Sequence, residues 1–240
     1  MVDETDAVPK PAAGSQTFAR GLRAFLAVVE SQDGASVQAI ADLLRVHRSI
    51  AYRLLQTLTD FGLVSRGAGG TYLPGPRLAT LSQAYLPILR DAALPVMREL
   101  ADRVASTILL FVVQGDDAVA ISMTEPRTAT HHIAFRPGMR TPLDRGSAAA
   151  ALLASRPFTE GEDPAITAVR DRGFSRSYGE VLEGVHGVAA WIPLNEPGMS
   201  ACLNLITYIE PIADAAGPLL REAADRIHLG MPDTVAGIGV

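Results

Sequence analysis

Cysteine, lysine and long apolar runs are scarce in this 240-residue sequence, and each scarcity limits what the protein can be. Cys202 is the one cysteine, which excludes an internal disulfide and a cysteine-based zinc site. No apolar run approaches the ~20 residues that cross a bilayer. The first residues also lack the basic and apolar segments of a signal peptide. The sequence therefore predicts a soluble cytoplasmic protein that needs neither a membrane nor a cofactor.

The net charge of -5 is unevenly distributed along the chain. Residues 1–14 are rich in Pro, Ala and Asp and predict a disordered tail. Residues 15–90 carry eight Arg against four acids, whereas residues 91–240 carry twelve Arg against nineteen acids. Lys10 is the only lysine, which we interpret as a bias in genomic base composition. A basic segment joined to an acidic remainder indicates two domains with different tasks.

The apolar spacing in residues 15–75 predicts three helices followed by a hairpin. Thr17 is predicted to cap the first helix, and Ser36 the second. Gly62 is predicted to end the third helix, before two strand-like runs in "LVSRGAGGTYLPG". The predicted buried residues of the second helix are Val37, Ile40, Leu43 and Leu44. Three helices with a tight second turn, then a hairpin, predict a winged helix-turn-helix.

The third helix, within "RVHRSIAYRLLQTLTDFGLVSR", has a leucine face and an opposite face without acids before Asp60. A solvated helix face normally mixes acids with bases, so a face without carboxylates is typical of contact with a polyanion. The hairpin is predicted to add phosphate contacts. The predicted DNA-binding residues are Arg48, Ser49, Tyr52, Arg53, Gln56, Arg66 and Tyr72. A winged helix that contacts protein is the alternative, and the positive charge of the segment favours DNA.

Residues 76–90 predict a linker helix between the two domains. Pro87 and Pro95 are predicted to interrupt the helices that follow. One side of the linker is apolar and consists of Leu78, Leu81, Tyr85 and Leu86. This side either pairs two chains or packs on its own domain, and the sequence leaves both readings open.

Residues 91–235 contain strands joined by hairpins, with helices between the hairpins, which indicates an antiparallel sheet covered by helices in the α+β class. His131 and His132 are adjacent in a predicted strand, so they face opposite sides and cannot chelate one metal ion. Ser147 is predicted to cap an alanine-rich helix whose free N–H groups suit a small carboxylate. The alanines either leave room for a ligand or pack tightly against the sheet.

Two long stretches carry a resemblance to a known family. The stretch "SVQAIADLLRVHRSIAYRLLQTLTDFGLVSR" with "YLPGPRLATL" after it, and the stretch "RGFSRSYGEVLEGVHGVAAWI", resemble the IclR family of bacterial transcriptional regulators over residues 17–228. The resemblance implies a winged helix-turn-helix at 15–75, a linker helix, and a GAF-like effector-binding domain at 91–235 whose sheet cups a small molecule. It also implies a homodimer, with a tetramer as the alternative.

The resemblance further implies a set of pocket residues. They are Ile133, Thr141, Ser147, Ala148, Ser177, Val185, Gly187, Cys202 and Asn204. Cys202 and Asn204 occupy alternate positions of one strand, so they share a face opposite Leu203 and Leu205. The sequence departs from the family pattern because the usual Gly-Lys pair is missing in this region and Arg145 adds a charge. Ser177 carries no charge, so an acidic effector would meet less repulsion there.

The sequence therefore predicts a ligand-responsive transcriptional regulator that binds double-stranded DNA and a small organic acid. A metal- or redox-sensing winged-helix regulator is the first alternative, and one cysteine with five scattered histidines counts against it. An enzyme is the second alternative. Ser147, Asp144 and a histidine at 131 or 132 could form a triad, but no nucleophile elbow surrounds the serine. No catalytic residue is predicted.

Overall fold

The computed structural model forms two compact units, Met1–Tyr85 and Leu86–Val240. It describes residues 14–31, 33–84, 86–127, 135–194 and 198–232. Helices and strands occur in both units, and every strand pair in them is antiparallel. The predicted α+β class is therefore confirmed.

The N-terminal unit contains four helices and a small sheet. The elements are α1 (Gln16–Glu30), β1 (Ala35–Ser36), α2 (Val37–Leu44), α3 (Arg48–Asp60), β2 (Val64–Arg66), β3 (Thr71–Pro74) and α4 (Arg77–Gln83). The sheet has the order β1-β3-β2, so β2 and β3 form the predicted hairpin. Three residues separate α2 from α3, which is the predicted tight turn.

The helix ends confirm two of the three predicted signals. The Ser36 hydroxyl accepts a hydrogen bond from the Ala39 amide, so Ser36 caps α2 as predicted. Gly62 follows Phe61, the C-cap residue of α3. Its φ of 70° is a conformation that glycine adopts without strain, so Gly62 ends the helix as predicted. The prediction for α1 is wrong by two residues, because Ser15 rather than Thr17 accepts from the Phe18 amide.

The core of the N-terminal unit lies between helices α1, α2 and α3 and the ring of Tyr72. Ile40 and Leu55 are fully buried in it, and Val37 and Leu44 are half-buried. The predicted burial of Leu43 is wrong, since this side chain is 61% exposed. Ala41 occupies the core in its place, because the short helix turns its 37–41–44 side inward.

The C-terminal unit contains a six-stranded sheet and four helices. The elements are α5 (Pro87–Val104), β4 (Thr107–Gln114), β5 (Asp117–Thr124), β6 (Arg140–Pro142), α6 (Gly146–Ala154), α7 (Pro164–Arg172), β7 (Ser175–Tyr178), β8 (His186–Ile192), β9 (Ala201–Thr207) and α8 (Glu210–Gly230). The strand order is β6-β5-β4-β9-β8-β7. Strands β8 and β9 pair antiparallel, and α8 is the last helix of the unit.

Helices cover both faces of this sheet. Leu203 and Leu205 point to the layer formed by α5 and α8. Cys202 and Ile206 point to the other layer, where α6 packs. Alternate residues of β9 therefore face opposite layers, as predicted for Cys202 and Asn204 against the two leucines.

The segment between the units contains two helices rather than one. Helix α4 ends at Gln83 and α5 begins at Pro87, with Leu86 in a left-handed conformation at a φ of 46°. Pro87 stands at the first position of α5, where its missing N–H is not needed. The predicted interruption at Pro95 is wrong, since α5 continues through it to Val104.

The apolar face of α5 is buried within the C-terminal unit. Leu89, Ala93 and Met97 pack in the layer that also contains α8. Of the predicted apolar side, Leu86 packs against the core of the C-terminal unit, whereas Leu81 is 48% exposed and Leu78 is half-buried. Packing on its own domain therefore accounts for Leu86 only, and Tyr85 lies outside the described residues. Among the described helices, none is long and apolar enough to cross a membrane.

Candidate nucleic-acid interface and ligand cavity

Helix α3 has one buried and one exposed face. Ala51, Leu55 and Leu58 are buried in the core of the N-terminal unit. The opposite face is exposed and consists of Arg48, Ser49, Tyr52, Arg53 and Gln56. All five are predicted contact residues, and the fold places them on one continuous surface.

The amino end of α3 is organised by His47, the residue that caps the helix. Its Nδ1 accepts from the Ser49 amide at 3.3 Å and lies 2.8 Å from the Ser49 hydroxyl. A ring nitrogen that accepts a hydrogen bond carries no proton, so the proton is on Nε2. The exposed ring therefore adds an outward donor next to Arg48.

The far end of this face contains the first acid. The Gln56 amide nitrogen donates to the Asp60 carboxylate at 2.9 Å. This contact holds the carboxylate at the last turn of the helix, away from the arginines of the first two turns. The first three turns of the face therefore contain no negative charge.

The hairpin places one of its two predicted contact residues outward. Arg66 is exposed at the end of β2. The prediction for Tyr72 is wrong, because this side chain is 1% exposed. Tyr72 lies on the central strand of the small sheet and its ring packs in the helical core, so it cannot reach a phosphate.

Arginines behave differently in the two units. None of the seven arginines from Arg20 to Arg77 forms an ion pair with a carboxylate among the described residues. In the C-terminal unit, ion pairs with acids are formed by Arg103, Arg127, Arg140, Arg145, Arg170, Arg176, Arg221 and Arg226. Unpaired cations on one unit leave a positive field that a polyanion can neutralise.

A cavity lies between α6 and the sheet of the C-terminal unit. Seven of the nine predicted pocket residues line it: Thr141, Ser147, Ala148, Ser177, Val185, Gly187 and Asn204. Phe111, Phe135 and Ile206 add apolar walls. The space left between these side chains is about 30 Å³.

The amino end of α6 forms one wall of this cavity. The Gly146 amide donates to the Glu180 carboxylate at 2.6 Å, and the Ser147 amide donates to the Ser177 hydroxyl at 3.0 Å. Ser147 does not cap the helix as predicted, because the helix already begins at Gly146. Its hydroxyl instead donates to the Asn204 side chain at 3.0 Å.

A close contact between β8 and α6 requires a glycine. A β-carbon at Gly187 would collide with the hydroxyl oxygens of Ser147 and Ser177. The Ser175 hydroxyl of the neighbouring strand β7 donates to the Ser147 carbonyl at 2.6 Å and ties β7 to α6. The hydroxyl groups at the base of the cavity are therefore held in fixed positions.

Two buried residues of the cavity wall each have a polar atom without a hydrogen-bond partner among the described residues. Thr141 and Asn204 are each less than a tenth exposed, and both line the cavity. Within the described part of the chain, the Thr141 hydroxyl forms no hydrogen bond and Asn204 uses only one atom of its amide group. Buried polar groups normally find partners, so this wall is suited to a polar ligand.

Of the two remaining predicted pocket residues, one is not described and the other does not line the cavity. Ile133 lies outside the described residues, as do His131 and His132. Cys202 is fully buried behind α6, and its thiol contacts the Ala148 carbonyl at 3.7 Å. Burial raises the pKa of the Cys202 thiol far above its usual range, so this cysteine is a packing residue and an unreactive one.

The two described members of the candidate triad, Asp144 and Ser147, are each bonded to another residue. Asp144 is exposed and pairs with Arg145 at 2.8 Å, which lowers the pKa of the carboxyl, and the Ser147 hydroxyl is bound to Asn204 instead. The described residues contain no group of three histidine, cysteine or acidic side chains that could hold a metal ion.

The comparisons with known proteins point to one family. Residues 17–68 match the IclR helix-turn-helix domain. The chain is 28% identical over 129 residues to the HTH-type transcriptional regulator KipR of Bacillus subtilis, covering 53% of this chain and 51% of the relative. The chain thus spans about half the length of the curated relatives it matches.

Solved structures share the fold over almost the whole chain. The IclR transcriptional regulator of Alicyclobacillus acidocaldarius is 20% identical and has a TM-score of 0.75, covering 91% of this chain and 99% of that one. An IclR homolog of Microbacterium hydrocarbonoxydans, solved as a complex with 4-hydroxybenzoate, is 22% identical and has a TM-score of 0.72 over 89% of this chain and 98% of that one.

Proposed function

We propose that this chain is a transcriptional regulator of the IclR family whose α3 face binds operator DNA and whose C-terminal unit responds to a small organic acid. The observation that carries the DNA proposal is the exposed face of α3, which lacks carboxylates, on a unit whose arginines have no acidic partners among the described residues. Such a role places the protein in the cytoplasm of a bacterial cell.

The residues of α3 have different roles in this proposal. Arg48 and Ser49 stand at the amino end of the helix, the end that usually reaches base edges in the major groove. Arg53 is one turn further along and contacts phosphate, as does Arg66 in the hairpin. His47 joins this set as a donor through Nε2.

An exposed apolar stripe on α1 supports a homodimer, with a tetramer as the alternative. Phe18, Leu22, Leu26 and Val29 recur at helical spacing and are all exposed, Phe18 by 68%. Contiguous exposed apolar surface of this kind is typical of protein interfaces. In a dimer, two N-terminal units would present two α3 helices to two half-sites of the operator. Binding to both half-sites raises the affinity and the specificity of a small DNA-binding unit.

The C-terminal cavity supports the effector proposal. Its polar wall, its apolar walls and the amino end of α6 together suit a molecule with a carboxylate and a small apolar body. The IclR homolog of Microbacterium hydrocarbonoxydans was solved with 4-hydroxybenzoate, which is a compound of this class. We take this compound as the first probe for the present chain.

Two measurements test the proposal. Fluorescence anisotropy with a duplex library is expected to detect binding that weakens steeply with salt, because each phosphate neutralised by arginine releases counterions. No binding to any duplex at low salt would refute the DNA role.

Thermal shifts with a panel of small carboxylates are expected to identify acids that raise the melting temperature. A panel that shifts nothing would refute the effector role alone.

A further inference from the structure

The anion-binding position of the cavity is already occupied by a carboxylate of the chain itself. The amides of Gly146 and Ser147 are the first two of α6, and a helix presents such amides to anions. Glu180 accepts from the first at 2.6 Å, and Ser177 accepts from the second at 3.0 Å. An acidic ligand that uses these amides must therefore replace Glu180.

The segment that contains Glu180 also closes the cavity. Glu180, Val181 and Leu182 form its outer wall, and the remaining space of about 30 Å³ has room for about one water molecule. An acid with a ring cannot enter until this wall moves. Glu180 is exposed and also borders an open surface cleft with Arg172 and Arg176, so its carboxylate can move outward without unpacking the core.

An independent feature indicates that a polar molecule belongs inside. Thr141 and Asn204 are buried in the cavity wall, and each has a polar atom without a partner in the described part of the chain. Glu180 does not satisfy them, because its carboxylate accepts from the Gly146 amide. The wall therefore retains hydrogen-bonding capacity that the closed arrangement does not use.

We propose that Glu180 is an internal competitor for the effector carboxylate: a small monocarboxylic acid displaces it from the amino end of α6 and thereby opens the segment from residue 179 to 184. This inference rests on the proposed effector function and adds how the site is controlled. A ligand carboxylate and the Glu180 carboxylate cannot both accept from the Gly146 amide, because their charges repel each other. Binding of the acid and release of Glu180 are therefore one event, and the released segment is the structural change that the ligand causes.

The test compares Glu180→Gln with wild type. Glutamine has the same shape and still accepts from Gly146, but without the charge that favours the helix end. The probes are 4-hydroxybenzoate and its uncharged analogue 4-hydroxybenzamide, measured by calorimetry on the full chain. Glu180→Gln is expected to bind the acid about tenfold more tightly and the amide with unchanged affinity. Glu183→Gln, which removes the same charge from an exposed position of the same segment, is the matched control and is expected to leave both affinities unchanged.

Each outcome decides the proposal. Equal affinity of wild type and Glu180→Gln for the acid would overturn the competitor role and leave the effector function standing. An equal gain for acid and amide would also overturn it, because Glu180 would then be only a steric cover. If neither protein binds the acid, the effector function and the competitor role both fall.

A second measurement needs no ligand. Hydrogen exchange of the peptide that spans residues 143–150 is expected to be faster in Glu180→Gln, since the Gly146 amide loses a charge-assisted bond. Unchanged exchange in this peptide would contradict the competitor role, even in a variant that folds and melts like wild type.

Discussion

Arg48 stands at the amino end of α3, exposed and without a carboxylate partner in the described chain. A side chain at this position that reads a base contributes to specific binding and little to general binding. We expect Arg48→Ala to weaken operator binding by about 1–3 kcal/mol and binding to a random duplex much less, measured by anisotropy on both duplexes. Arg20→Ala on the exposed surface of α1 is the control. An equal loss on both duplexes would make Arg48 a phosphate contact.

His47 has two roles: its Nδ1 caps α3, and its Nε2–H is a hydrogen-bond donor for DNA in the proposed function. Two substitutions separate these roles. His47→Ala removes the cap and is expected to destabilise the N-terminal unit by about 1 kcal/mol in urea unfolding. His47→Asn restores a good cap but lacks the imidazole Nε2–H, so we expect wild-type stability with weakened operator binding. Full recovery of binding by His47→Asn would show that only the cap matters.

The contacts that could not be predicted from the sequence have a common property. Glu180 meets Gly146 across 34 positions of the chain, and Asn204 meets Ser147 across 57. Helical spacing along α3 is local, so its exposed polar face could be predicted from residues 48–56. Contacts made by tertiary folding leave no such spacing, so the helix end could be recognised as an anion site without any sign of its occupant.

At the level of single elements, β8 depends on Gly187 for its approach to α6. We expect Gly187→Ala to lower the free energy of unfolding of the C-terminal unit by about 1–3 kcal/mol, because its β-carbon would collide with two hydroxyl groups. Gly230→Ala, at the end of α8, has only ordinary contact with Ala92 and is the control. Urea unfolding measures both, and equal stability of the two variants would contradict the close contact.

Helices α5 and α8 are joined by a bidentate pair of Glu99 and Arg226 at 2.7 and 3.0 Å. Hydrogen bonds from Arg226, and then its charge, lower the pKa of Glu99 below the ordinary value of 4.5. A lowered folded pKa stabilises the fold above the unfolded value and loses this contribution as pH falls through the folded value. The melting temperature of wild type is therefore expected to exceed that of Glu99→Gln slightly at pH 7.

The difference between Glu99→Gln and wild type is expected to shrink as the pH falls below 4.5. It should also shrink in high salt, because both side chains are largely exposed and salt screens such pairs. Differential scanning calorimetry at several pH values measures it. A difference that grows in acid would contradict the assigned sign.

Elements differed in how well the sequence predicted them. Regular apolar spacing identified α1, α2, α3 and α8, and strand-rich runs identified the hairpins. The sequence reading did not assign α7, and it gave the segment of β7 only as part of a signature, because "SRSY" has no apolar alternation. Tyr72 was misplaced for a related reason. A tyrosine in a hairpin is suited to solvent or to a core, and only the third strand, β1, decides which.

For the molecule as a whole, the apolar stripe on α1 predicts assembly. Leu22→Glu with Leu26→Glu places two charges on this stripe, and we expect the variant to shift from dimer to monomer in light scattering at micromolar concentration. The same variant should bind a single half-site as well as wild type and lose affinity for the full operator. A wild-type chain that is already monomeric, or a variant that remains dimeric, would refute an interface at α1.

The contrast between the arginines of the two units has a consequence for the protein when it is away from DNA. Cations without neighbouring anions repel one another, which weakens the fold that displays them. If the protein binds DNA as proposed, a bound duplex removes this repulsion, and operator occupancy is then thermodynamically linked to the integrity of the N-terminal unit. Copies released from the chromosome would then be the ones that cellular proteases degrade first, and the number of operators would itself set how much of the regulator persists.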